Sequence, residues 1–469
     1  MRIYEINARV HSSSFEGVTD AQLAELRSLG FDAIWMMGVW KISDGARNLS
    51  KITAADFEGS PYAVPEYELN RELGGRPKFL NLVKRAHSAG LRVIVDFVSN
   101  HMALDSPWII RQPDLFVRSD SAARTQSTNE FFLHRSGEVI AFGRDPYFPP
   151  WTDTAQLDYS SGKLRNRMID VLKRISTYAD GVRCDMAMLI LRECFRKLWY
   201  PLVSDSQFDQ MMVGEFWAEA IEEVKKSNPD FKFIAEAYWD KETELRQLGF
   251  DLCYEKKLYD ALVNHDFGRM VERIHRDAAE LQGSLYFIEN HDEPRAATVF
   301  SPPEQLSALA LLLSIPGSVL IHEGQMEGKH EKLPVQRIKP LSDEPPDLAL
   351  RESYARLLRA TDDVVFTEGT FELFDPQVYG ALAFTRRLES RVVGYIGQIT
   401  DGWHKFNGPA MNLSAVARQA GARGQLRLRN LLSETTSTVT GSNGDFRVEM
   451  SRLGVDEASR FCLFEAFAD

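Results

Sequence analysis

The stretch PKFLNLVKRAHSAGLRVIVDFVSNH, residues Pro77 to His101, decides the fold. Its first half, from Pro77 to Ala89, is amphipathic and stops at Gly90, as a helix does at a glycine. The chain then runs directly into LRVIVDFV, a continuous apolar run of the kind that forms a strand buried on both faces. That run passes into Asp96, Asn100 and His101, polar and ionisable residues at the C-terminal end of the strand. A helix feeding such a strand belongs to a β/α unit. In a barrel of these units, the C-terminal strand ends open into the active site.

Outward from this segment the pattern recurs. GVRCD (Gly181 to Asp185), FIAEAYWD (Phe233 to Asp240) and FIENHDEPR (Phe287 to Arg295) each begin apolar and turn ionisable, at Asp185, Glu236 and Asp292. Further strand candidates are IYEINARV, FDAIWMMGVW, GFDLCY, SLYFIEN and GSVLIHEG. Helices are expected over Ala21 to Leu29, Leu164 to Tyr178 and near Phe208 to Lys226. Eight strands with intervening helices is the count of a closed (β/α)8, or TIM, barrel.

Two regions break the alternation. Residues 101–158 are rich in Pro, Asp, Arg and aromatics without a helical period, and are read as a small inserted subdomain B after the third strand. Residues 363–469 show short alternating runs such as LAFTRR, RVVGYIG, QLRLRNLL and RFCLFEA, the pattern of a C-terminal antiparallel β-sandwich. The barrel is thus expected in two parts, 1–100 and 159–362. A chain of 469 residues has room for these modules.

With 44% hydrophobic and 26% charged residues the composition is that of a soluble globular protein. A net charge of −12 argues against nucleic acid or an anionic membrane as partner. The four cysteines, Cys184, Cys194, Cys253 and Cys462, have neither zinc-site spacing nor the density of a disulfide framework. No apolar run is long enough to span a bilayer, and the start MRIYEINARV lacks an apolar signal core, so a cytoplasmic location is expected. The common nucleotide-binding, zinc-protease and serine-hydrolase motifs do not occur. Nothing in the sequence bears on oligomeric state.

Cleaving a glycosidic bond requires two carboxyl groups, one ionised at the anomeric carbon and one protonated at the leaving oxygen. Asp185 and Glu236 end consecutive strands and suit these roles. Arg183, two residues before Asp185, points to the same face of its strand and favours the carboxylate form needed of a nucleophile. Ala237, Tyr238 and Trp239 after Glu236 supply the apolar wall that suits a general acid. Asp292, beside His291, can stabilise positive charge as it develops. Taken singly, such residues are more often caps or ion-pair partners; their order along the chain reverses that balance.

These segments resemble the signature regions of the α-amylase superfamily, the retaining α-glucoside hydrolases and transglycosylases. Asp96, Asn100 and His101 match its Asp-x-x-x-Asn-His pattern; Gly181, Arg183 and Asp185 match its Gly-x-Arg-x-Asp pattern. The resemblance implies Asp185 as nucleophile, Glu236 as acid/base and Asp292 as transition-state stabiliser. His101, Arg183 and His291 are implied sugar-binding residues. GSPYAVPEYELN places Tyr62 where the family stacks a tyrosine under the sugar, and TAQLDY (Thr154 to Tyr159) resembles a further conserved patch. Of the aromatics near the expected mouth (Trp40, Tyr62, Trp108, Tyr147, Phe148, Trp151 and Trp239), Tyr62 is the one assigned to sugar.

The implied activity is hydrolysis of α-glucosidic linkages, α-1,4 above all, in glucose oligosaccharides. A transglycosylase or isomerase acting on short α-glucosides uses the same site, and a non-catalytic binding relative would lose carboxylates that this chain keeps. Endo-acting members usually carry Lys and His three and four residues after the nucleophile; here Met188 and Leu189 stand there, so either weak discrimination by chain length is expected or Met188 is a core residue filling an irregular gap. The segment Asn290 to Arg295 is similar to the form in exo-acting α-glucosidases and isomerases. The chemistry requires no cofactor and no residue is assigned as a metal ligand. The resemblance leaves open a structural Ca²⁺ held through Asn100, with Asp114, Asp153 and Asp158 as candidate ligands; otherwise Asn100 hydrogen-bonds within the insertion.

Overall fold

The computed structural model describes residues 1–119, 129–340, 342–398, 410–453 and 460–468. Eight parallel strands form a closed barrel: β1 (Arg2–Asn7), β2 (Ala33–Met37), β3 (Arg92–Val98), β4 (Gly181–Asp185), β5 (Lys232–Ala235), β6 (Leu252–Tyr254), β7 (Ser284–Tyr286) and β8 (Ser318–His322). Each strand pairs with its neighbours in sequence order, and β8 pairs with β1 to close the ring. The eight strands read from the sequence are these eight. The first ends early, at Asn7, because the Asn7 side chain accepts from Arg9 N–H and starts a short helix, Ala8–His11.

Period-two alternation sorts the strand side chains. Tyr4, Ile34, Met36, Val93 and Val182 pack outward under the helices. Ile3, Ala33, Trp35, Ile94, Ile234 and Leu320 fill the barrel interior. Further along the same inward rows stand Glu5, Asp96, Arg183 and Asp185, all buried. Apolar layers therefore close the bottom of the barrel, and an ionic layer lies above them at the C-terminal strand ends. Register places Asp96 beside Arg183, and Glu5 between Trp35 and His322.

Helices Asp20–Ser28 and Gly162–Ile175 start at Thr19 and Ser161, whose hydroxyls accept from N–H groups of the first turn. The single helix expected near Phe208 to Lys226 is instead two, Asp205–Met211 and Phe216–Lys225. Between them Gly214 adopts φ +76°, a left-handed conformation that ends one helix before the next begins.

Between β3 and the helix at Gly162, two short antiparallel ribbons (His101–Ala103 with Thr154–Gln156, Phe131–Leu133 with Val139–Ala141) flank a helix, Pro107–Arg111. At the C-terminus a six-stranded antiparallel sheet includes Ala381–Leu388, Arg391–Gln398, Gln425–Asn430 and Phe461–Ala468. Its inner face (Val392, Ile396, Leu426, Phe464) packs on helix Ser414–Ala420 and on the ribbon Met411–Asn412/Arg447–Val448, making a second layer. Among the described residues no helix is long and apolar enough to cross a membrane.

Candidate active site

Asp185 is the last residue of β4, and Glu236 directly follows β5, its N–H continuing the ladder to Cys184 O at 3.1 Å. Both are buried, and one guanidinium bridges them. Arg183 donates to Asp185 Oδ1 at 2.9 Å and its other terminal nitrogen lies 2.9 Å from Glu236 Oε2. The same nitrogen lies 3.9 Å from Asp292 Oδ2. Arg183 Nε donates to Tyr254 Oη at 3.2 Å, which fixes the plane of the fork.

Soon after each carboxylate the backbone enters the left-handed region. Met186 has φ +45°, and Trp239 and Asp240 have φ +59° and +62°. The turn at Met186 aims its N–H at Glu236 Oε2, 2.7 Å away, while Tyr238 Oη donates to Glu236 Oε1 at 2.9 Å. Backbone conformations of this kind cost about 1–3 kcal/mol and gather at functional sites.

The electrostatics differ from the sequence expectation in one respect. The sequence has Arg183 keeping Asp185 ionised. In the fold, burial and the adjacent Glu236 carboxylate outweigh Arg183 and push Asp185 up to about 8. Asp185 therefore keeps a proton at neutral pH. Burial likewise raises Asp96 to about 6, although Trp35 Nε1–H and Gly38 N–H donate to it. Asp292 moves the other way. Burial disfavours its charge, but the His291 imidazole beside it holds it below the usual carboxylate range.

The expected sugar-binding residues surround Asp185 and Glu236. His291 Nε2 lies 2.9 Å from Asp292 Oδ2 and 2.7 Å from Tyr62 Oη. The Tyr62 ring stacks on His291 at 5.6 Å and lies 5.4 Å from the Arg183 guanidinium carbon. His101 is buried against Trp151, and burial pushes it down to about 4, so it is a neutral imidazole at pH 7. His291 also lines a cavity of about 270 Å³ shared with Asn7, Met37, His322 and Glu323.

The other aromatics divide. Trp40 and Trp108 are buried, Trp40 donating to Asp96 O, and belong to the core. Tyr147 and Phe148 are about 70% exposed, and Tyr147 meets Trp239 edge-on at 5.2 Å. Met188 takes the second of its two readings and joins the core. Met188 and Leu189 both lie in a buried 3-10 turn, Met188 at 0% exposure within the main core. Met186 adopts the left-handed conformation directly after Asp185.

Three of the four Ca²⁺ candidates are engaged by other protein groups. Asn100 and Gln156 exchange side-chain amide hydrogen bonds at 3.0 and 3.1 Å, which occupies the Asn100 oxygen. Asp114 pairs with Lys163, and Asp158 accepts from Ser160 and Tyr200. Among the described residues no group of three or more His, Cys, Asp or Glu side chains could hold a metal ion.

Sequence reasoning missed Glu5, Tyr254 and the Met186 N–H. An acid in the middle of the apolar strand IYEIN was the only sign of Glu5.

The family model for the α-amylase catalytic domain matches residues 9–352. An α-amylase from Haloarcula japonica is 26% identical over 339 residues, 70% of this chain and 44% of its own length. A 4-α-glucanotransferase from Thermotoga neapolitana is 24% identical over 70% of this chain and 73% of its own. The crystal structure of a maltogenic α-amylase from Thermotoga neapolitana superposes with a TM-score of 0.75 at 20% identity, covering 100% of this chain and 99% of that one. The chain thus spans less than half the length of the Haloarcula relative.

Proposed function

Because the chain belongs to the α-amylase family, we propose that it is a glycoside hydrolase that cleaves α-glucosidic linkages, α-1,4 above all, in glucose oligosaccharides with retention. One observation carries the reading: Arg183 bridges Asp185 and Glu236, with Asp292 within 4 Å of the same guanidinium. Asp185 is the nucleophile, Glu236 the acid/base and Asp292 the group that stabilises positive charge at the anomeric carbon. Tyr62, His101, Arg183 and His291 line the sugar being transferred. On the same reading residues 101–158 are an inserted subdomain B after β3, and 363–469 a separate β-sandwich module.

The first step needs one proton, and in the free site Asp185 holds one. In the first step an Asp185 oxygen bonds to the anomeric carbon as the glycosidic C–O bond breaks, and Glu236 gives its proton to the leaving oxygen. The bound substrate places its bridging oxygen at Glu236, which draws that proton there and leaves Asp185 ionised against Arg183. In the second step water gives a proton to Glu236 while its oxygen bonds to the anomeric carbon and releases Asp185. Charge on the ring is greatest between these states, where the Asp292 carboxylate counts most.

A second reading, transfer to an acceptor sugar, is favoured by the exposed Tyr147 and Phe148 beside the half-buried Trp239, a surface near Glu236 on which an acceptor ring can stack. The 4-α-glucanotransferase among the relatives points the same way. A panel of maltooligosaccharides, trehalose, sucrose and glycogen tests both. Hydrolysis predicts shorter maltooligosaccharides alone, whereas longer products from maltotriose establish transfer; no turnover of any of these sugars contradicts the proposal. Asp185→Asn and Glu236→Gln should each lose on the order of 10³-fold or more in kcat, and near-normal turnover by either folded variant would remove these assignments.

A further inference from the structure

Glu5 stands inward on β1 at 0% exposure, an acid in the middle of an otherwise apolar strand. Its Oε1 lies 2.6 Å from His291 Nδ1, and its Oε2 makes no hydrogen bond among the described residues. The other ring nitrogen of His291, Nε2, lies 2.9 Å from Asp292 Oδ2. Ionised carboxylates only accept, so a ring between two of them carries a proton on each nitrogen, the one on Nε2 shared between Asp292 Oδ2 and Tyr62 Oη at 2.7 Å. His291 is then an imidazolium, clamped edge to edge by Glu5 and Asp292.

We propose that Glu5 is a positioning residue for the reaction assigned above: it fixes the His291 ring so that Nε2–H points at Asp292, and it cancels the imidazolium charge so that Asp292 keeps its own. The inference rests on the proposed roles of His291 and Asp292. Without Glu5, a protonated His291 would neutralise the carboxylate that meets the developing oxocarbenium ion. With it, the Glu5–His291 pair is neutral overall and Asp292 remains a net negative charge.

The groups facing His291 agree with this arrangement. Trp35 of β2 packs edge-on against the ring at 5.4 Å, and Tyr62 covers one face. His322 of β8 neighbours Glu5 in register and is held by Glu289, which also binds Arg295. Asp96 of β3 and Arg183 of β4 complete the ionic layer. Burial opposes charge on His291, yet Asp292 and Glu5 hold it protonated well above the ordinary imidazole range.

Glu5→Gln keeps the shape and a hydrogen bond to Nδ1 but removes the charge. The measurement is the titration of His291 in protein labelled with ¹⁵N at histidine, its signals assigned by loss in His291→Gln. The wild type should show a doubly protonated ring at pH 7. In Glu5→Gln the midpoint should fall by about 1–3 pH units, the effect of removing an opposite charge in contact. On maltooligosaccharides kcat should fall about 10–100-fold with little change in KM, and Glu5→Asp should restore the imidazolium and part of kcat. A neutral His291 in the wild type at pH 7, an unmoved midpoint in Glu5→Gln, or kcat equal to wild type across pH would overturn the proposal. If the wild type turned over no glucoside at all, the proposed function would fail, and the titration alone would decide whether Glu5 holds the imidazolium.

Discussion

At the scale of single residues, the site is a charge count around Arg183. Its guanidinium contacts Asp185 and Glu236 directly, with Asp292 at 3.9 Å. One cation cannot neutralise the cluster, and Asp185 and Glu236 are both buried, while Asp292 is partly open to water. Burial, and after it the Glu236 carboxylate, raises Asp185 to about 8 from its ordinary 3.8. The linkage has a definite sign: the folded chain keeps a proton that the unfolded chain releases. The stability tied to that proton is fully present below about pH 4 and is lost as pH rises through about 8. Asparagine at 185 has nearly the same shape and never ionises. Asp185→Asn should therefore be more stable than wild type at pH 8.5, by about 1–2 kcal/mol, with the gap closing at pH 4.5. Thermal melts at the two pH values read this directly; an equal gap at both would show that Asp185 titrates as an ordinary surface carboxylate.

At the scale of elements, function sits where strands stop. Parallel strands buried on both faces leave continuous apolar runs in the sequence, which is why all eight barrel strands were legible, Arg92–Val98 and Gly181–Asp185 most clearly. The turn after a strand is harder to read, because one left-handed residue redirects everything beyond it. Beyond Met186, at φ +45°, Met188 and Leu189 lie buried. Met188→Lys should then bury an ammonium group among apolar neighbours and cost about 3 kcal/mol or more, without steepening the dependence of kcat/KM on chain length from maltose to maltoheptaose. A stable variant with sharper preference for long chains would put position 188 back at the sugar. Glu5 was illegible for a related reason: its partner, His291, lies 286 residues away, and only closure of the barrel brings them together. The break at Gly214 hid within a segment that otherwise reads as one helix, Phe208 to Lys226.

At the scale of the whole molecule, the site draws on strands from both ends of the barrel, and the C-terminal sheet is fastened to its flank. Arg386 of that sheet is buried, with no carboxylate paired to it among the described residues; its Nε donates to Gly369 O and Nη1 to Ser314 O, the latter at the end of barrel helix Pro302–Ser314. The claim on which the whole account turns is that Asp185 becomes bonded to the sugar. Glu236→Gln incubated with α-maltosyl fluoride tests it, because fluoride leaves without a proton and the variant lacks the base that would release the product. Mass spectrometry of the peptide containing Asp185 should show one maltosyl group attached there. A sugar on any other residue, or an unmodified Asp185 while fluoride is released, would contradict the account.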